Sequence, residues 1–193
     1  MEQFSAQGFG HQAEKPTQIL SDEHRIIERV LDAVQRLTLA PARQHLERWQ
    51  KALDFIRHFA DRCHHCKEEQ VLFPALEAHG IPTEGGPVGM MLLEHEEARS
   101  HVRAMMDGLA RIEAGDDSAE AGLFDSAGQY VRLLREHIQK EDEVLFRMAD
   151  EVIAADAQKK LLADFARYEA EEMGGGVHEK YLRIANELES QAG

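Results

Sequence analysis

The chain is short of cysteine, with two in 193 residues, Cys63 and Cys66. Two thiols cannot staple a fold of this size, and a chain this long buries a core without them. Positive charge is also scarce. Against 36 acidic residues there are 22 lysines and arginines, for a formal net charge of −14. A surface of that sign repels phosphate backbones, which argues against nucleic acid as a partner. No apolar run approaches the ~18 residues needed to span a bilayer, so no membrane partner is expected. No basic stretch leads into an apolar one near the N-terminus, so no secretion signal is expected and the expected compartment is the cytoplasm. Nor is there strand-like alternation long enough to build a sheet.

What the chain has is histidine, eleven of them, and one pattern written twice. His64-His65-Cys66-Lys67-Glu68-Glu69-Gln70-Val71-Leu72-Phe73 returns as His137-Ile138-Gln139-Lys140-Glu141-Asp142-Glu143-Val144-Leu145-Phe146. Both read His-x-x-Lys-Glu-x-x-Val-Leu-Phe. Four residues on a helix turn about 400°, so each His/Glu pair faces one way. The repeat also fixes the register. His65 and Glu69 stand four apart too, but they align with Ile138 and Asp142, which form no such pair. His64 and Glu68 are therefore the paired residues, and His65 and Glu69 their neighbours.

Apolar periodicity predicts helices throughout. Leu20, His24, Ile27, Leu31 and Val34 make one stripe of a helix that begins near Pro16. A second helix, about 41–79, turns Leu53, Ile56, Ala60, His64, Glu68, Val71 and Ala75 inward. Pro74 should kink it near its end. After the Gly/Pro-rich loop at 80–87, a third helix over 88–114 presents Met91, His95, Ala98, Val102, Met105 and Leu109. A fourth, about 119–151, presents Tyr130, Leu134, His137, Glu141, Val144 and Met148. A fifth segment, about 156–190, is broken at Gly174-Gly175-Gly176. The expected fold is all-α: an antiparallel, up-down four-helix bundle over residues 16–152. A flexible tail at 1–15 precedes it, and a broken helical appendage at 153–193 packs on it.

Glu23-His24 and Glu94-His95 occupy matching places, so the bundle reads as two hairpins. Each offers one histidine from its first helix and a His-x-x-x-Glu from its second. Pooled, the inward polar residues are His24, His64, Glu68, His95, His137 and Glu141. A buried carboxylate costs several kcal/mol unless something compensates it. A pair of metal ions compensates both, and mixed imidazole and carboxylate donors suit iron, manganese or zinc.

These residues resemble the hemerythrin-like, or HHE cation-binding, domain, whose pattern is His…His-x-x-x-Glu…His…His-x-x-x-Glu over four helices, often with Leu-Phe-Pro following. Here His24, then His64-x-x-x-Glu68 with Leu72-Phe73-Pro74, then His95, then His137-x-x-x-Glu141 with Leu145-Phe146 supply it across about residues 17–150. The resemblance implies two non-haem iron ions with an oxo or hydroxo bridge, ligated by those six residues. It implies O2, H2O2 or NO as the small-molecule ligand. Two departures matter. Oxygen-carrying members place a second histidine one turn after that of the third helix, where this chain has Arg99. They also end in His-x-x-x-x-Asp, where this chain has His-x-x-x-Glu. Fewer imidazoles imply a more open site, or a fifth ligand from elsewhere.

His178 and Tyr181, beyond the glycine break, are the candidates for that ligand. His11, His45, His58, His79 and His101 have no partner pattern. Cys63 and Cys66 form Cys-x-x-Cys in mid-helix, without the helix N-terminus that would lower a thiol pKa or a second Cys/His pair for zinc, so they read as packing residues. The expected function is a di-iron protein that binds O2 or a related oxidant. The alternatives are a di-iron enzyme that decomposes H2O2 or reduces NO, an iron or oxygen sensor, and a structural bundle. The sequence leaves the oligomeric state open.

Overall fold

The computed structural model describes residues 15–174 and 176–190. The tail expected over 1–15 lies outside the described residues except for Lys15, whose ammonium pairs with Asp150 at 2.8 Å. Among the described residues there is no strand; the protein is all-helical. Helix α1 is Pro16–Leu37. A 3₁₀ turn, Ala42–His45, leads into α2 at residues 46–78. Helix α3 is Pro87–Glu113, α4 covers 120–152, α5 covers 155–173, and α6 is Val177–Ser190.

The boundaries follow local chemistry. Pro16 and Pro87 open α1 and α3 in the first turn, where a missing N–H costs nothing. Gly80 and Gly115, with φ of 90° and 102°, follow α2 and α3 in a conformation that other residues rarely adopt. Gly174 and Gly176 have φ of 78° and 81° and separate α5 from α6.

Helices α2 and α4 are not regular. Each contains a π-helical stretch that starts at the glutamate of its repeat: Glu68–Leu72 in α2 and Glu141–Leu145 in α4. The N–H of Phe73 donates to the carbonyl of Glu68, and that of Phe146 to the carbonyl of Glu141, each spanning five residues instead of four. This wider turn takes up one extra residue. It corrects the predicted stripes. Beyond Glu68 the inward residues are Leu72 and Leu76, not Val71 and Ala75, which are only half-buried. Beyond Glu141 they are Leu145 and Ala149, while Val144 is 50% exposed. Both stripes slip by one residue at the same place. Pro74 does not explain this alone, because Arg147 holds the matching position in α4. A further π stretch, Ile56–His65, lies earlier in α2.

Helix α1 packs on α2 and α4, α2 also on α3, and α3 on α4. Helices α5 and α6 lie against α1 and α2. The buried apolar side chains form two clusters. One includes Ile27, Leu31, Phe59, Ala98, Leu134 and Ile138, with Tyr181, Ala185 and Leu188 of α6. The other includes Leu20, Leu72, Phe73, Met91, Leu145 and Phe146, with Leu161 and Phe165 of α5. On each of α1 to α4 the charged and imidazole residues fall between them. His24 follows Leu20 and precedes Ile27; His95 follows Met91 and precedes Ala98. The core is thus interrupted by one polar layer.

Candidate metal centre

The structure brings together all six residues of the repeat pattern. His24, His64, Glu68, His95, His137 and Glu141 are each at most 1% exposed. Their donor atoms fall into two groups. One nitrogen or oxygen from each of His24, His64, Glu68 and Glu141 lies within 4.8 Å of the others. The same holds for Glu68, His95, His137 and Glu141. The groups share both glutamates, so two adjacent points are defined, each faced by two imidazoles and by both carboxylates.

A ring of carboxylates fixes which nitrogen faces inward. The Nδ1–H groups of His64 and His137 donate to Glu23 and Glu94 at 2.9 Å each. Those of His24 and His95 donate to Asp142 at 2.9 Å and Glu69 at 2.7 Å. Each bond sets the tautomer, leaving a lone pair on Nε2 aimed at the centre. The repeat extends to this ring, because Glu23 matches Glu94 and Glu69 matches Asp142. Lys67 binds Glu23, and its counterpart Lys140 binds Glu94. Lys67 is 0% exposed and also reaches Glu169 of α5 at 2.5 Å. Arg99 holds Glu69 at 2.8 Å, and Arg25 holds Asp142. Sequence reasoning set Glu69 aside as a neighbour. Its alignment with Asp142 was the signal that both do the same work on opposite histidines.

The centre itself is lined by the donor atoms of these six residues. Nε2 of His24 and His64 and all four oxygens of Glu68 and Glu141 are buried without a hydrogen-bond partner among the described residues. Nε2 of His24 and of His137 both stand 3.2 Å from Glu141 Oε2. Nε2 of His95 and of His137 stand 3.1 Å apart although both Nδ1 atoms are donors to carboxylates. Lone pairs set against lone pairs repel unless a proton or a metal ion lies between them. Nitrogen and oxygen donors at right angles about one ion stand about 3 Å apart. The donor set therefore fits metal ions.

Burial and neighbouring charge act strongly on the same groups. Burial, with the Glu141 carboxylate beside it, pushes the Glu68 carboxyl well above the usual range. Burial acts the same way on Glu141, but His137 and His24 outweigh it and hold that carboxyl well below the range. Burial drives His64 well below its ordinary value. His137 is opposed by burial yet raised to about 9 by Glu141 and Glu94.

The remaining predicted residues lie elsewhere. Tyr181 is 3% exposed but packs on Phe55 and Phe59, with its hydroxyl 3.1 Å from the Lys180 ammonium. His178 is exposed, edge-on to Phe59. Neither joins a donor group with the six. His65, set aside because its counterpart is Ile138, is instead buried beside them and stacked on His95. Cys63 and Cys66 are both free, and burial pushes the Cys63 thiol up to about 12. Of the other histidines, Nδ1 of His58 and of His79 bond their own helix at Asp54 and Ala75 carbonyls. His11 lies outside the described residues.

Fold and site together define an all-helical protein with a buried imidazole and carboxylate layer suited to cations. The hemerythrin HHE cation-binding domain matches residues 15–149, and the chain belongs to that family. Uncharacterized proteins of Mycobacterium bovis and Mycobacterium tuberculosis are 23% identical over 178 residues, which is 90% of this chain and 69% of theirs. The iron-sulfur cluster repair protein YtfE of Musicola paradisiaca is 32% identical over 89 residues, 45% of this chain and 40% of that protein. No solved structure matches the chain significantly. No helix among the described residues is long and apolar enough to cross a membrane.

Proposed function

We propose that α1 to α4 form an antiparallel bundle around two non-haem iron ions, and that the protein binds O2 or a related small oxidant such as peroxide or nitric oxide there. The observation that carries this reading is the sharing of Glu68 and Glu141 between two four-residue donor groups. His24 and His64 would hold one ion, His95 and His137 the other, and both glutamates would span the pair. Two divalent ions carry four positive charges; two glutamates offset half, which suits an additional anionic ligand. Iron would supply the electrons and the binding position for the oxidant. The chain's own residues do the rest. Glu23, Asp142, Glu69 and Glu94 orient the imidazoles and raise their basicity. The two apolar clusters keep bulk water from the layer.

A second reading is removal or repair chemistry rather than reversible binding. It is supported by the relative whose name is iron-sulfur cluster repair protein, and by Arg99 standing where oxygen carriers have another histidine. Both readings share one test. Protein reconstituted anaerobically with Fe(II) should hold about two irons per chain and develop near-ultraviolet absorption on contact with O2. Glu68→Ala should lose both, whereas Tyr181→Phe should keep both. Less than one iron per wild-type chain would sink both readings. Absorption that reverses on removing O2 favours a carrier; loss of added peroxide or nitric oxide over many turnovers favours an enzyme.

A further inference from the structure

We infer that His65 is a fifth imidazole ligand, serving the ion on the His95 and His137 side. The inference rests on the two-ion reading above. His65 is 2% exposed, and neither ring nitrogen has a hydrogen-bond partner among the described residues. Leaving a buried polar atom unsatisfied costs about 1–3 kcal/mol, so such a ring calls for a partner. Its ring lies nearly parallel to that of His95, at 15° and 4.0 Å between centroids, and 5.7 Å from that of His137. One nitrogen from each of the three lies within 4.8 Å of the other two.

His65 also repeats the arrangement of the other four. Each of those histidines has a carboxylate at Nδ1 and turns Nε2 inward. Asp61, one turn earlier on α2, places Oδ1 3.6 Å from Nδ1 of His65. A shift of about 0.7 Å would make that a hydrogen bond. Asp61 is itself held by Arg99 at 2.8 Å. Arg99 thus stands behind the donors rather than among them. It ties down the two carboxylates, Asp61 and Glu69, that stand behind His65 and His95. The fifth imidazole comes from the residue next to a ligand in α2, where the π stretch Ile56–His65 ends. The two ions become unequal, with His24 and His64 on one side and His65, His95 and His137 on the other.

His65 is buried, but shortening its side chain would open the layer to a surface pocket. That pocket, of about 320 Å³, is lined by His65 together with Arg57, Asp61, Arg99, Val102 and Tyr130. That opening makes a chemical rescue possible. Wild type, His65→Ala and His65→Phe are titrated anaerobically with Co(II), whose visible absorption reports coordination. Phenylalanine keeps a ring on His95 but offers no donor. Wild type should take two ions. Both variants should keep one and bind the second about 100-fold more weakly, with an altered spectrum. Free imidazole should restore the second ion in His65→Ala and not in His65→Phe, where the space is filled. A second ion bound by both variants as in wild type, with an unchanged spectrum, overturns the inference. A wild type that takes no Co(II) overturns the two-ion reading as well, so the two failures are distinct. Should either variant lose its helical circular dichroism, X-ray absorption of the wild type decides: five imidazoles over two ions support the inference and four overturn it.

Discussion

Glu69 illustrates how much of this site is done by residues outside the two shared-glutamate donor groups. Its carboxylate accepts from Nδ1 of His95 and from Arg99. Burial pushes its carboxyl up, but His95 and Arg99 outweigh burial and hold it below the ordinary 4.5. A carboxyl with a lowered folded-state pKa adds stability above its unfolded value and loses it as pH falls through the folded value. The metal-free protein should therefore melt higher than Glu69→Gln at pH 6. That difference should shrink towards zero below about pH 4. A gap in melting temperature that stays constant from pH 6 to pH 3 would show that packing, not charge, is what the substitution removes. His65 shows the converse at this scale. It stands beside His64 in the chain, and only the three-dimensional path of α2 turns both imidazoles to the same layer.

Among the elements, the π stretches at Glu68–Leu72 and Glu141–Leu145 set the glutamates. The His-x-x-x-Glu spacing and the stripes as far as Glu68 and Glu141 were legible in the sequence, because side-chain polarity records a 3.6-residue period. The wider turn was not, because it lives in which carbonyl an amide chooses. A period of 3.6 carried past it picks Val71 and Val144, one residue early in both repeats. Deleting Gln70, which is exposed, would remove the extra residue and return this part of α2 to a regular helix while Leu72 and Leu76 keep their contacts. Glu68 and Leu72 then stand three apart, on one face of a regular helix. Helical circular dichroism should survive the deletion, and Fe(II) affinity should stay within a few-fold of wild type. A loss of about tenfold or more would show that the π turn itself, and not only the shared face, positions Glu68. The appendage was only partly legible for a similar reason. Its break at the glycines is written in composition, whereas the docking of Tyr181 onto Phe55 and Phe59, away from the centre, depends on the angle at which α6 returns.

Taken whole, the molecule is two greasy blocks with a charged layer between them. Burial of opposed donor atoms gives the layer little cohesion of its own. Strong bonds to a shared pair of ions would run across all four long helices at one level. The consequence is one of cooperativity. Stripped of metal, the block around Phe73 and Phe146 should open on its own, as a separate folding unit, before the block around Phe59 and Leu134. Native-state hydrogen exchange should then give two opening free energies, one for each block, and calorimetry a broadened or double transition. With metal bound, the two should merge into a single concerted melt at higher temperature. One shared opening free energy in the metal-free protein would refute this division. The metal centre would then act on the fold as a rivet does on two plates, turning independent halves into one body.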